Sequence, residues 1–234
     1  MAKRVRRARS VTGVPTRPQD PLHEWLGITG LLMKHEVTAN TVTVVRGILV
    51  LPVIILAGFG FSGAAFILHL VSWWGDAVDG SVARERQRCG YVDNRDLGEY
   101  LDPMVDKAAW VAEAMFLPFA AQAELRPTWV VVIAIAAMCV LVLIEVALGI
   151  VRWQDYHANT KQTTDAPKLN LGARWSGKVK MVLEVAGLST LILTSSDEAT
   201  WCVHVWAWAL AAAMPLASLS LLQKIWSRKA IVAN

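Results

Sequence analysis

The chain has 234 residues, of which 55% are hydrophobic and only 18% are charged, and its mean hydropathy is +0.41. Soluble domains carry roughly a quarter charged residues, so this composition excludes an ordinary soluble fold, and it equally excludes a disordered or collagen-like chain. The net charge is +4, and the three cysteines lie far apart without a CxxC pair, so neither a disulfide framework nor a zinc site is indicated. We therefore expect an all-α integral membrane protein.

The first 36 residues differ in character from the rest of the chain. Residues 1–20 are basic and contain prolines, which is typical of a flexible arm near anionic headgroups. No signal peptide is indicated, because no apolar core with a cleavage site follows the basic residues. Residues 21–36 predict an amphipathic helix that either lies in the membrane interface or packs on the bundle. We expect a cytoplasmic arm and interfacial helix over residues 1–36, and one six-helix domain over residues 37–234.

Apolar stretches near twenty residues long predict membrane-spanning helices. The stretch from Gly47 to Gly75 contains no Asp, Glu, Lys or Arg and is too long for one span, so the sequence GFGFSG at 58–63 is predicted to form a hairpin turn. Six spans are predicted, at residues 41–59, 63–84, 98–122, 127–153, 176–195 and 199–223. Six spans place both termini on one side. Arg126 is the only Lys or Arg in the predicted external loops, so both termini are expected in the cytoplasm.

Two pairs of aspartates lie inside predicted spans, where charged residues are costly and need a reason. Asp76 and Asp79 are three residues apart, and Asp102 and Asp106 are four apart, so each pair shares one face of its helix. If the two helices are antiparallel neighbours, the four carboxylates lie at matching depths, about 6–12 Å from the cytoplasmic helix ends. Carboxylates this close need a cation between them, and oxygen ligands suit a pair of Mg²⁺ or Mn²⁺ ions. The alternative is that some of these aspartates cap helices or pair with nearby cations: Arg84, Arg46 or Lys107.

Small residues follow the first aspartate pair. Gly80 and Ala83 would let a flat or bulky ligand approach the helix backbone, and ordinary helix packing is the alternative. Arg84, at the predicted helix end, can bind a diphosphate through two hydrogen bonds.

Basic residues cluster around the last predicted cytoplasmic loop. Arg152 ends the fourth predicted span, and Lys178 and Lys180 open the fifth. The positive-inside rule alone explains basic residues here. The sharper hypothesis is a phosphate pocket for a second, water-soluble substrate.

Read together, these residues resemble the signature of the CDP-alcohol phosphotransferase family. The matching pattern is Asp76-x2-Asp79-Gly80-x2-Ala83-Arg84, then Gly98-x3-Asp102-x3-Asp106. The family usually has eight residues between the Arg and the second Gly, whereas thirteen lie between Arg84 and Gly98. Choosing Gly90 instead fails, because Asn94 and Gly98 would then stand at the Asp positions. We expect a longer cytoplasmic loop here.

The resemblance covers most of residues 38–185. The segment TANTVTVVR at 38–46 places Asn40, Thr43 and Arg46 at the usual positions of the family. Three further segments look like bacterial phosphatidylglycerophosphate synthases: LDPMVDK at 101–107, EVALGIVR at 145–152 and WSGKVK at 175–180. The chain departs from that subfamily at Met181, where Thr is usual, and in its longer loop at 153–174.

The resemblance implies a metal-dependent reaction in the cell membrane, with the active site facing the cytoplasm. A phosphatidyl group would pass from CDP-diacylglycerol to the hydroxyl of glycerol 3-phosphate, releasing CMP and forming phosphatidylglycerophosphate. Two Mg²⁺ or Mn²⁺ ions and a homodimer are implied. The implied site residues are the metal ligands Asp76, Asp79, Asp102 and Asp106, with Asp106 also the general base; the CDP-binding residues Gly80, Ala83, Arg84, Asn40 and Thr43; and the acceptor-phosphate-binding residues Arg152, Lys178 and Lys180.

Other interpretations stay open at this point. Another acceptor, above all inositol phosphate, would use the same reaction. A cation-coupled transporter would also carry intramembrane carboxylates, but no inverted repeat or broken helix pair is evident in the sequence. A non-catalytic scaffold gives no reason for the carboxylates. Glu113 and Glu184 are expected to be paired within the bundle or to lie at a dimer interface, Glu145 to support the basic pocket, and His69 to be isolated.

Overall fold

The structure is a computed structural model and describes residues 27–91, 95–120, 128–161, 175–194 and 200–232. Within these ranges every regular element is a helix, which confirms the all-α class. The eight helices are α1 (Ile28–Lys34), α2 (Ala39–Ile48), α3 (Val50–Gly58), α4 (Ser62–Arg88), α5 (Arg95–Ala120), α6 (Trp129–Lys161), α7 (Trp175–Leu193) and α8 (Thr200–Val232).

Three helical stretches of the described chain are long and apolar enough to cross a membrane: Ala39–Gly58, Trp129–Thr160 and Trp201–Arg228. The helices α4, α5 and α7 coincide with the other three predicted spans, but charged side chains interrupt their apolar stretches. The protein is therefore a helical membrane protein. The full count of six spans and the cytoplasmic placement of both termini stay predictions.

The first apolar stretch is divided into α2 and α3. At its start, the hydroxyl oxygen of Thr38 caps α2 by accepting a hydrogen bond from the backbone N–H of Thr41 at 3.2 Å. The two helices meet at Leu49, next to the carbonyl of Ile48. That carbonyl loses its helical partner because Pro52, four residues later, has no N–H to donate.

A tight turn then reverses the chain, as predicted for residues 58–63. The helix α3 ends at Gly58, Gly60 takes a φ of 78°, and α4 begins at Ser62. A positive φ is open to glycine without steric strain, which explains the glycine at this position.

The helix α1 covers part of the predicted interfacial segment and packs against α4. This packing favours the alternative of an amphipathic helix on the bundle. The rest of that segment, residues 21–26, and the basic arm before it lie outside the described residues.

Several helices run further than their predicted spans. The helix α4 continues to Arg88, α6 to Lys161 and α8 to Val232, while α5 begins earlier, at Arg95. The predictions followed apolar length, which reports the thickness of the hydrocarbon layer. A helix satisfies its own backbone hydrogen bonds and so continues into polar surroundings. Arg84 and Arg152 consequently lie within helices and not at their ends.

The contacts between helices place α4 and α5 at the centre of the bundle. The helices α2 and α3 pack against both of them, and so does α7, while α8 packs along α6 and α7. The main partners of α4 are therefore α2, α3 and α7, and not α5 as the prediction of direct neighbours required. Large buried side chains from four helices form the core: Trp110, Leu117, Leu141, Leu188 and Trp206.

Candidate active site

Carboxylates from α4 and α5 form an acidic cluster, which we define as Asp76, Asp79, Asp102 and Asp106. Asp76, Asp79 and Asp102 each offer one oxygen, and these three oxygens lie within 4.8 Å of one another. The side chain of Asp79 is only 7% exposed, whereas that of Asp76 is 52% exposed. The acidic cluster is therefore closed behind Asp79 and open beside Asp76.

The guanidinium of Arg46, on α2, contacts all four carboxylates. Its Nη2 lies 3.3 Å from Oδ1 of Asp76 and also contacts Oδ1 of Asp102. Its Nε lies 3.3 Å from Oδ2 of Asp79, and its Nη1 lies 2.5 Å from Oδ1 of Asp106. Arg46 is itself only 4% exposed, so little water screens these attractions. One of the pairings left open by the sequence is therefore present.

Two glycines allow α2 to bring Arg46 this close. A Cβ atom on Gly47 would lie 2.7 Å from Cγ1 of Val105 on α5, and one on Gly75 of α4 would lie 3.3 Å from Cβ of Arg46. The hydroxyl of Ser72 donates a hydrogen bond to the backbone carbonyl of Arg46 at 2.8 Å. Larger residues at either glycine would push α2 away and separate the guanidinium from the carboxylates.

The donor set of the acidic cluster fits a divalent metal ion. Its ligating atoms are all carboxylate oxygens, the donors that Mg²⁺ and Mn²⁺ prefer. Four carboxylates face one guanidinium, so a bound cation would relieve the remaining repulsion. The hydroxyl of Thr43 donates to Oδ2 of Asp79 at 2.8 Å and orients that carboxylate. Asp106 does not belong to the close trio and joins the acidic cluster through Arg46.

Three of the predicted nucleotide-binding residues follow Asp76 and Asp79 on α4. Ala83 and Arg84 are exposed, and Nη2 of Arg84 donates to Oγ of Ser81 at 3.3 Å. A Cβ atom on Gly80 would lie 3.4 Å from Nη1 of Arg84, so the small residue leaves room for that guanidinium. The structure thus places a cation on an accessible surface one to two turns from Asp76 and Asp79.

The other two predicted nucleotide-binding residues lie on α2. Oδ1 of Asn40 would lie 3.4 Å from a Cβ atom on Gly98, so the glycine lets the start of α5 approach the start of α2. Thr43 is buried, and its hydroxyl contacts Asp79 and so lies beside the acidic cluster.

Beside the acidic cluster lies a buried ion-pair network, defined as Lys107, Glu145, Lys180 and Glu184. Lys107 of α5 and Lys180 of α7 both contact the carboxylate of Glu145 on α6. Nζ of Lys180 also lies 3.2 Å from Oε2 of Glu184, which confirms that Glu184 is paired within the bundle. All four residues are buried. Lys107 directly follows Asp106, so the network adjoins the acidic cluster along α5.

Arg152 is buried close to both charged regions. It lies two turns after Glu145 on α6, and it experiences the charges of Glu145, Asp106 and Asp102. Its Nε and Nη1 atoms have no hydrogen-bond partner among the described residues. Lys178, in contrast, is exposed. Of the three predicted acceptor-binding residues, the structure therefore buries Arg152 and Lys180 near Glu145 and leaves Lys178 on the surface.

The extension of α6 beyond Arg152 is fixed by ion pairs. Asp155, one turn further on, is buried, and its Oδ2 lies 2.9 Å from Nζ of Lys224 on α8. Nε of Arg228 lies 3.6 Å from the other oxygen of Asp155. The prediction that Arg152 ends the fourth helix was wrong, because α6 continues along α8, which holds it in place.

The fold and the site together define a class: a helical membrane protein with an acidic cluster next to buried cations. The chain matches the CDP-alcohol phosphatidyltransferase family over residues 36–213, and it belongs to that family. It is therefore a membrane transferase of phospholipid biosynthesis that moves a phosphatidyl group from a CDP-alcohol, and the family depends on divalent metal ions. No curated protein and no solved structure matches the chain significantly.

Proposed function

We propose that the protein transfers the phosphatidyl group of CDP-diacylglycerol to the hydroxyl of glycerol 3-phosphate, so that CMP is released and phosphatidylglycerophosphate is formed. The observation that carries this proposal is the position of Arg152 beside the acidic cluster, as a buried cation whose Nε and Nη1 have no hydrogen-bond partner among the described residues. Phosphoryl transfer between two anions depends on positioning and charge neutralisation. A cation-binding cluster beside an anion-binding side chain supplies both.

Two Mg²⁺ or Mn²⁺ ions are proposed as the cofactors. Asp76, Asp79, Asp102 and Asp106 would hold them, and when bound they would polarise the phosphoryl group and neutralise charge on the departing CMP. Thr43 would orient Asp79 through its hydrogen bond of 2.8 Å.

The nucleotide would lie against the accessible end of α4. Gly80 and Ala83 leave the helix backbone approachable, and Arg84 has further donors available for the diphosphate. Asn40 would add a polar group from the start of α2.

Asp106 would act as the general base. Its side chain is 18% exposed, so it is shielded from bulk water but still accessible. It would take the proton of the acceptor hydroxyl, whose oxygen then forms a bond to the lipid-side phosphorus. The bond between that phosphorus and the CMP oxygen breaks, and CMP leaves. A correctly positioned base typically contributes about 10²–10⁴-fold to the rate.

Arg152 would hold the phosphate of the acceptor, with Lys180 supporting it from the buried ion-pair network and Lys178 attracting the anion from the surface. Inositol phosphate is the competing acceptor, since it carries the same phosphate and a reactive hydroxyl. The phosphate of either acceptor would supply partners for the Nε and Nη1 groups of Arg152, which have none among the described residues.

We further propose six spans, both termini and the active site on the cytoplasmic side of the cell membrane, and a homodimer. The lipid substrate would arrive from the bilayer and the soluble acceptor from the cytoplasm. Membership of a transferase family, together with the grouping of the carboxylates in one place, favours this function over cation-coupled transport.

A panel of acceptors tests the proposed function. Purified protein with CDP-diacylglycerol and Mn²⁺ is given glycerol 3-phosphate, inositol phosphate, glycerol or inositol, and CMP release is measured with mass spectrometry of the lipid product. We expect the fastest release, and phosphatidylglycerophosphate, with glycerol 3-phosphate, and no release with EDTA. Faster turnover of an unphosphorylated alcohol would contradict the assignment of Arg152.

A further inference from the structure

A second polar contact joins α4 and α5 deeper in the bundle. Nδ1 of His69 lies 3.0 Å from Oε1 of Glu113, and both side chains are fully buried. Glu113 is therefore paired within the bundle, and His69 is not the isolated residue that the sequence presents. Polar groups in an apolar helix bundle are costly unless they bond to one another.

The His69–Glu113 pair lies on the same helix faces as the acidic cluster. His69 precedes Asp76 by seven residues on α4, and Glu113 follows Asp106 by seven on α5. Seven residues are close to two helical turns, so each member of the pair lies about 10 Å along the helix from its aspartate and nearly in line with it. The pair and the acidic cluster therefore lie in line with each other, on the sides of α4 and α5 from which their side chains meet.

Two tryptophans lie along the helices between the two polar sites, and both belong to the packed core. Trp110 lies between Asp106 and Glu113 and is fully buried. Trp73 lies between His69 and Asp76, and its ring centroid is 6.2 Å from that of His69. Interiors packed with such side chains transmit small displacements instead of absorbing them. A change in the spacing of α4 and α5 at His69 would consequently be felt at the carboxylates.

We propose that the His69–Glu113 hydrogen bond is a strut that sets the spacing of α4 and α5, and through it the metal affinity of the acidic cluster. The helices α2, α3 and α7 pack against both α4 and α5, but the carboxylates on the two helices repel each other. Without the strut the helices would separate, and carboxylates on opposite helices would share an ion less well. His69 and Glu113 are positioning residues, and the inference rests on the metal dependence of the proposed function.

Direct metal binding tests the strut. Mn²⁺ is titrated into metal-free protein in detergent micelles, and free Mn²⁺ is followed by electron paramagnetic resonance. We expect His69→Leu and Glu113→Leu to raise the Kd for Mn²⁺ about tenfold, the lower end of what lost supporting contacts around a metal site cost. At saturating Mn²⁺ the KM for CDP-diacylglycerol should stay within about twofold of wild type, because the lipid site is complete once the ions are bound.

Three variants serve as matched controls. Glu113→Gln keeps the accepting Oε1 atom and should bind Mn²⁺ like wild type. The amide of His69→Asn stands where Nδ1 stood and should preserve the contact, whereas the amide of His69→Gln is displaced towards the Nε2 position and should lose it. His204→Leu, which changes an exposed histidine on α8, should leave the Kd unchanged.

The outcomes separate the strut from the proposed function. A Kd for Mn²⁺ that stays at the wild-type value in both leucine variants, even with lowered thermal stability, overturns the strut and leaves a merely structural pair. If the leucine variants do not fold, equal Kd values for His69→Asn and His69→Gln overturn it in the same way. Failure of the wild-type protein to bind Mn²⁺ would instead contradict the proposed metal site.

Discussion

The acidic cluster and the buried ion-pair network adjoin each other on α5, where Asp106 belongs to one and Lys107 to the other. In the acidic cluster, four carboxylates share the guanidinium of Arg46, and the side chain of Asp76 is half exposed. In the ion-pair network, Lys107 and Lys180 balance two glutamates, and all four side chains are buried. One region therefore carries excess charge that is open to the outside, and the other is balanced and closed.

From this difference we propose that the two regions have different roles at one site. The excess negative charge of the acidic cluster attracts cations. Because the cluster is open beside Asp76, a substrate can reach the bound cations. The balanced buried network joins α5, α6 and α7, and among the described residues Nε and Nη1 of Arg152 beside it have no hydrogen-bond partner. The metal-bound substrate is therefore expected on the side of the acidic cluster, and the anionic acceptor on the side of Arg152.

The largest expected effect is on the rate of CMP release, and it follows from changing Asp106, where the acidic cluster adjoins the ion-pair network. Asp106→Asn should reduce the rate of CMP release about a thousandfold. The amide cannot accept the proton, and it ligates a metal ion less strongly than the carboxylate does. Binding of CDP-diacylglycerol should persist, since Asp76, Asp79 and Asp102 still offer the close trio of oxygens. Turnover assays and binding of the nucleotide lipid, measured separately, check the two expectations.

Glu85→Gln is the matched control for this variant, because it removes the same charge from an ion pair on the surface of α4. It should leave turnover unchanged. A rate for Asp106→Asn close to that of Glu85→Gln would show that Asp106 is not the base.

A smaller effect, on the KM for the acceptor, should distinguish the buried Arg152 from the exposed Lys178. Arg152→Ala should raise the KM for glycerol 3-phosphate about 10- to 100-fold, as expected for lost hydrogen bonds to a charged group. Lys178→Ala should raise it less than about threefold, because an exposed charge is screened by water. Steady-state kinetics with each substrate varied in turn measure both. An equal rise in the KM for CDP-diacylglycerol would instead indicate that Arg152 only supports the fold.

The sequence was sufficient to predict that each pair of aspartates shares one helix face, because that signal is local. Asp76 and Asp79 lie one turn apart in an apolar stretch, where a charge needs a reason, and helix periodicity alone places them on one face. The hairpin turn at Gly60 was equally local. Contacts between distant segments were not predictable in this way.

Arg46 and Asp102 meet across 56 residues, Lys107 and Glu145 across 38, and His69 and Glu113 across 44. Which of several charges pair depends on how the helices pack, and helix packing is not encoded in a repeating pattern. The glycines at positions 47 and 75 were the available signal, because they mark where helices approach closely. The helix ends were mispredicted for another reason, since hydropathy reports the membrane and not the length of a helix.

The third prediction changes the charge balance of the acidic cluster without removing a carboxylate. Arg46→Gln leaves four carboxylates without their shared cation, so the metal-free protein should unfold at a temperature lower by about 5 °C, a loss of roughly 2 kcal/mol for a chain of this size. The same variant should bind Mn²⁺ severalfold more tightly, because the ion no longer competes with a guanidinium that contacts all four carboxylates. Arg88→Gln, which removes an exposed arginine near the end of α4, should change neither quantity. Thermal unfolding with and without Mn²⁺, and the Mn²⁺ titration, provide the measurements. Weaker Mn²⁺ binding together with an unchanged unfolding temperature would mean that Arg46 supports the ligands instead of competing for them.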